Sequence, residues 1–213
     1  MARWRAWWDS RHPRSDTLTL TQRNVYILPT RAGWLCALLL LVLLIGSINY
    51  QLNLGYLLTF VLASAAVASM QSSHATLRGL QLSLAAPLPV HAGEVARLDV
   101  RLSDPSPRPR RRHGIGLRVD LPEASGSTGW TWLDLPDTSN PPSNPAAFSA
   151  SVQLLLQPTR RGWHVLPTIR LETRFPFGLF RAWSVWRPAA RLLAWPAPEQ
   201  PAPPLPSGPQ HGA

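Results

Sequence analysis

The chain has 213 residues, with 21 basic against 11 acidic, a formal net charge of +10 and one cysteine. The single thiol, Cys36, excludes an intrachain disulfide and a zinc site built on thiolates, so cysteine gives no sign of the redox compartment. Every basic residue is Arg, and the positive excess points to an anionic neighbour, either lipid headgroups or nucleic acid.

Residues 1–29 form a basic segment rich in Arg and Trp, opening MARWRAWWDSRHPR. Such a stretch suits either the headgroup region or an unstructured tail that sets topology. From Ala32 to Leu77 there is no Asp, Glu, Lys or Arg. Residues 30–71 therefore predict a two-helix transmembrane hairpin, with spans at about 30–48 and 52–70. At 1.5 Å per residue each span reaches roughly 28 Å, close to the hydrocarbon thickness of about 30 Å. One continuous helix would bury Asn49, Gln51 and Asn53 in lipid, at several kcal/mol for unpaired amides. A turn at Asn49–Asn53 puts them in water or headgroups instead.

Orientation follows from the arginines. Arg3, Arg5, Arg11, Arg14, Arg23 and Arg31 precede the first span, Arg78 and Arg97 follow the second, and the turn is uncharged. The positive-inside rule then predicts a multi-pass membrane protein with both termini in the cytoplasm and the turn outside. Trp34 beside Arg31, and Tyr50 and Tyr56 near the turn, suit interfacial anchoring. Ala63, Ser64, Ala66, Val67 and Ser69 give the second span a small-residue face for packing on the first.

Residues 77–195 change to a period of two, which predicts an all-β sandwich of immunoglobulin-like outline. Ala96, Leu98, Val100 and Leu102 alternate with charged residues; so do Ile115, Leu117, Val119 and Leu121. Ala150, Val152, Leu154 and Leu156 align, as do Val165, Ile169 and Leu171, with Pro167 marking an edge or a bulge. Residues 196–213 are a proline-rich tail, expected to be disordered or extended.

Chemistry is harder to find. The six histidines lack metal-ligand spacing, the acids are scattered singly, and no nucleophile elbow or phosphate loop occurs. No catalytic residue, metal or cofactor is expected, and the protein reads as non-enzymatic. The run Arg108 to His113 lacks the interleaved aromatics that nucleic acid would need. Its arginines Arg108, Arg110, Arg111 and Arg112, with Arg31 and Trp34, are instead expected at lipid headgroups. The aromatic cluster around the turn Phe175-Pro176-Phe177-Gly178 reads as a core corner or, where exposed, a partner surface; Phe177, Gly178, Leu179, Phe180 and Trp183 are its candidate contacts.

Four segments in order, RNVYILPTRAGW, GSINYQLNLGYLLTF, GLQLSLAAPLPVHAGE and RGWHVLPTIRLETRFPFGLFRAW, resemble the bacterial "domain of unknown function 58" family, from about Arg23 to Trp195. The resemblance implies an inner-membrane hairpin, a β-sandwich and then a von Willebrand A-like region. It also implies a role beside a MoxR-type AAA+ ATPase, or beside a transglutaminase-like membrane protein. The family's later motifs, Arg-x-Tyr-x-x-Gly-Asp and an Ile-x-Trp segment ending in Ala-Arg, do not occur in this sequence, so no residue of that region is carried over. The expectation is an anchor or adaptor whose cytosolic sandwich binds a protein partner in complex or envelope assembly. The alternative is an envelope enzyme, or an accessory to one, with the sandwich facing outward.

Overall fold

The computed structural model describes residues 13–106, 111–120, 129–135 and 149–198. Two helices, α1 (Arg31–Asn49) and α2 (Asn53–Leu77), pack on each other as a hairpin, and both are long and apolar enough to cross a membrane. Thr30 caps α1, its hydroxyl accepting from the Gly33 N–H at 3.1 Å. The turn falls where the polar break predicts it. The Tyr50 N–H donates to the Gly46 carbonyl, the Leu52 N–H to Ser47, and Gln51 takes a left-handed φ of 51° between them.

The helices touch along small residues. A Cβ on Gly55 would lie 2.2 Å from the Ser47 hydroxyl, so only glycine permits this approach. On α2 the inward line is Gly55, Thr59, Ala63, Ala66 and Ser69, whereas Ser64 and Val67 are exposed. A helix of 3.6 residues per turn cannot hold five such close-spaced residues on one seam. α2 also runs on to Leu77 rather than ending near 70. Its last turns are polar, which hides them from hydropathy, yet Ser73, Thr76 and Leu77 are buried against the β domain.

The rest is β-rich. Its strands are β1 (Thr17–Thr19), β2 (Tyr26–Pro29), β3 (Gln81–Leu84), β4 (Val90–His91), β5 (Ala96–Ser103), β6 (Arg112–Asp120), β7 (Thr131–Leu135), β8 (Ser149–Leu156), β9 (Gly162–Val165), β10 (Thr168–Thr173), β11 (Phe180–Trp186) and β12 (Arg191–Trp195). They form sheets ordered β1-β3-β5-β8, β2-β11-β10-β6-β7 and β4-β12-β9. The inward residues of the two larger sheets, among them Leu82, Leu98, Leu102, Leu117, Ile169 and Leu171, share one core. The alternation predicted for residues 96–102 is the observed burial; Ile115, Leu117 and Val119 are buried as predicted, but Gly116 between them is buried too, and Leu121 lies outside the described residues.

Two expectations are corrected. Residues 17–29 are not only a basic leader: β1 pairs with β3, β2 pairs with β11, and Leu20 and Val25 enter the core. Strands this short carry too few alternating positions to be read from pattern. Residues 162–173 are two strands, not one. Pro167 has no N–H for a ladder and stands between β9 and β10, so Val165 is exposed in another sheet while Ile169 and Leu171 are buried.

Candidate functional site

The corner between β10 and β11 lies at the foot of the helical hairpin. Gly178 takes a φ of 69° and its N–H closes the turn on the Arg174 carbonyl at 2.8 Å. The Thr30 hydroxyl donates to the Gly178 carbonyl at 2.6 Å, and the Thr30 N–H donates to Leu179 at 2.9 Å. On the other helix, the Ser73 hydroxyl donates to the Phe175 carbonyl at 2.6 Å. The corner is thus bonded to both helices, and a Cβ on Gly33 would lie 2.2 Å from the Leu179 oxygen.

This bears on the candidate contacts. Gly178 and Leu179 give their carbonyls to Thr30. Phe180 pairs with Pro29, and the Trp183 ring lies 5.0 Å from Tyr26. Phe177 alone among the five turns a large apolar side chain outward, 66% exposed. The cluster is therefore mostly an internal joint between hairpin and sheet.

The predicted headgroup arginines divide. Arg31 is exposed at the start of α1, with Trp34 67% exposed one turn later, and Arg111 is exposed. Arg108 and Arg110 lie outside the described residues. Arg112 turns inward, which corrects its assignment to headgroups. Its Nε and Nη2 donate to one Asp104 oxygen at 3.0 and 2.7 Å, and the two side chains are 7% and 2% exposed. Its Nη1 donates to the carbonyls of Ala75, Thr76 and Arg78 at 2.9, 2.8 and 2.7 Å. The first two belong to the last turn of α2 and the third to its capping residue, where no N–H of the helix follows to satisfy them. Strict alternation back from Ile115 would point Arg112 outward. A register shift between Arg112 and Ile115, with Gly114 at a φ of 63°, reverses the parity.

Sequence reasoning also missed a buried carboxylate. Glu172 is 1% exposed, although it faces away from the core side of β10. It accepts from Arg174 Nε at 2.6 Å and pairs with Arg181 Nε at 2.7 Å. The available signal was the Glu172–Arg174 spacing of two, which puts both on one strand face. Beside this pair opens a cleft of about 490 Å³, lined by Arg31, Arg174, Arg181, Leu28, Thr30 and Gly178 among others.

At the other end of the same strands is a cleft of about 760 Å³. It is bounded by the segment 156–160 and by Thr168, with Arg14, Arg160, Arg187, Asp120 and His164 in its wall. Asp120 also pairs with Arg118 at 3.1 Å and Arg170 at 2.5 Å. On the same sheet, Gly116 leaves room for Trp130 and Trp132, and Arg118 lies 4.8 Å over the Trp130 ring. Near the bulge, the Gly114 N–H donates to Asp134 at 2.7 Å. That bond, more than His113 beside it, holds the Asp134 carboxyl below its ordinary pKa.

No family model matches the chain, and neither a curated protein nor a solved structure does.

Proposed function

We propose that the protein is a membrane-anchored, non-enzymatic adaptor whose β domain presents a docking face to a protein partner. In this reading α1 and α2 cross the bilayer as a hairpin, and the β domain lies with both termini in the cytoplasm. The observation that carries it is the double joint. Thr30 at the start of α1, and Ser73 and the end of α2, are bonded into the β domain, so the domain is held in one orientation at the hairpin's foot. The exposed leucines of the helices, such as Leu35, Leu39 and Leu57, support lipid as their cover, since a soluble chain rarely leaves so continuous an apolar surface to water. The charge-free turn and the arginines on its far side support the orientation. A sandwich of immunoglobulin-like outline is supported by the core that the two larger sheets share.

The partner face moves with the geometry. The corner at 175–183 is spent on the joint, whereas the basic cleft near Thr168 lies at the opposite end of β10, roughly 20 Å away at about 3.3 Å per residue. A domain held by one end offers the other. The cleft's Arg14, Arg160 and Arg187 suit an acidic segment of the partner. The family resemblance makes a MoxR-type AAA+ ATPase the first partner to try. The test is co-purification from detergent with the full chain as bait. Retention of the ATPase by the wild type, and its loss on Arg160→Glu without a change in melting temperature, is the expected result. Retention by that variant would place the contact elsewhere.

A further inference from the structure

We propose that the cleft at the foot of α1 binds the phosphate of an anionic lipid headgroup through Arg31, Arg174 and Arg181. The proposal rests on the membrane reading above. Its starting point is charge. Three guanidinium groups line a cleft of about 490 Å³, and no carboxylate lines it among the described residues. Glu172, which does not line the cleft, is buried and engages Arg174 and Arg181 at their Nε atoms. Three positive charges less one negative leaves a formal excess of two. A guanidinium carries five N–H donors, so the hydrogen bond from Arg174 Nε and the ion pair at Arg181 Nε leave the terminal nitrogens of both arginines for an anion. Glu172 thereby orients the two side chains without filling the cleft.

The surroundings select a lipid over other phosphates. Arg31 and Ala32 are the first residues of α1, whose early N–H groups and dipole favour an anion at this end. Directly beyond them α1 turns outward Trp34, Leu35, Leu38 and Leu39, an apolar track on which acyl chains would lie. Leu28 and Phe177, both exposed, sit on the same side of the domain as the cleft. A headgroup phosphate reaches the level where a spanning helix begins, and Arg grips phosphate through paired N–H bonds. Phosphatidylglycerol, with one net negative charge and a small headgroup, would neutralise half of that excess.

The test is native mass spectrometry of the full chain released from detergent, with phosphatidylglycerol, phosphatidylcholine or inorganic phosphate added. The wild type should retain phosphatidylglycerol over phosphatidylcholine. Arg31→Gln and Arg174→Gln should each weaken retention roughly fivefold, from about 1 kcal/mol per surface arginine. Arg31→Gln leaves both arginines on Glu172, so its melting temperature should hold and its retention reads the site alone, whereas Arg174→Gln takes a partner from a buried carboxylate and should also lower the melting temperature. Equal retention of both lipids, or unchanged retention in both variants, would overturn the site. Displacement by equimolar inorganic phosphate would assign the arginines to a soluble phosphate and overturn the lipid source. Vesicle flotation separates the two levels of the account. Insertion without lipid preference removes the site alone, whereas failure to insert in any vesicle removes the membrane reading as well.

Discussion

Arg112 joins three parts of the chain through one side chain: the strand that carries it, the buried Asp104, and the last carbonyls of α2. Its replacement by Met leaves a buried carboxylate uncompensated, a loss of about 3–5 kcal/mol. Removing both charges in Arg112→Met with Asp104→Leu should recover much of that loss. Thermal unfolding in detergent reads both, and equal destabilisation of the single and double variants would mean the ion pair is not the cause. Gly33 makes a second residue-scale test. Alanine is favoured over glycine inside a helix by about 1 kcal/mol, but overpacking costs about 1–3 kcal/mol. At Gly33 a Cβ meets the backbone oxygen of Leu179, and at Gly46 it meets nothing within 4 Å. Gly33→Ala should therefore lower the melting temperature, while Gly46→Ala should hold or raise it. Asp134 supplies a pH dependence. Its native pKa lies below its unfolded one, so its contribution is complete above the unfolded value and is lost as pH falls through the native value. Asp134→Asn should flatten that part of the acid limb by a small amount, because the group is exposed.

At the scale of elements, the corner after β10 belongs to the hairpin as much as to the sheet. Thr30→Val removes a helix cap, at about 1 kcal/mol, and also leaves the Gly178 carbonyl without its hydroxyl donor. Combined with Ser73→Ala it should free the corner, which hydrogen exchange at residues 174–181 would register as faster exchange with the sheet core unchanged. Unchanged exchange at the corner would mean that the joint is held by something else. The hairpin and its turn were legible in the sequence because a long charge-free apolar run is broken once by Asn49, Gln51 and Asn53, and the strands at 96–102 and 150–156 because each keeps a period of two. Four features were not legible, each for a local reason. β1 and β2 are too short to show a period, and Pro167 hides a strand break inside an apolar run. The bulge at Gly114 reverses the side on which Arg112 falls, and the Glu172 pair needs a partner from the next strand. The candidate site suffered most, because its aromatic residues announce a surface while their backbone partners, Thr30 and Ser73, lie more than a hundred residues earlier.

The whole molecule is an apolar hairpin and a β domain joined at both helix ends, with a basic cleft beside the joint and a second at the far pole. The adaptor reading needs that far pole to face the compartment where a nucleotide-driven partner works. Membrane orientation therefore decides the adaptor reading, and arginine placement sets it. A paired reporter fused after Trp195, alkaline phosphatase in one version and a fluorescent protein in the other, measures it in living bacterial cells. Fluorescence without phosphatase activity is the expected result. Phosphatase activity without fluorescence would contradict it, put the β domain on the envelope side, and remove a cytosolic ATPase as its direct partner.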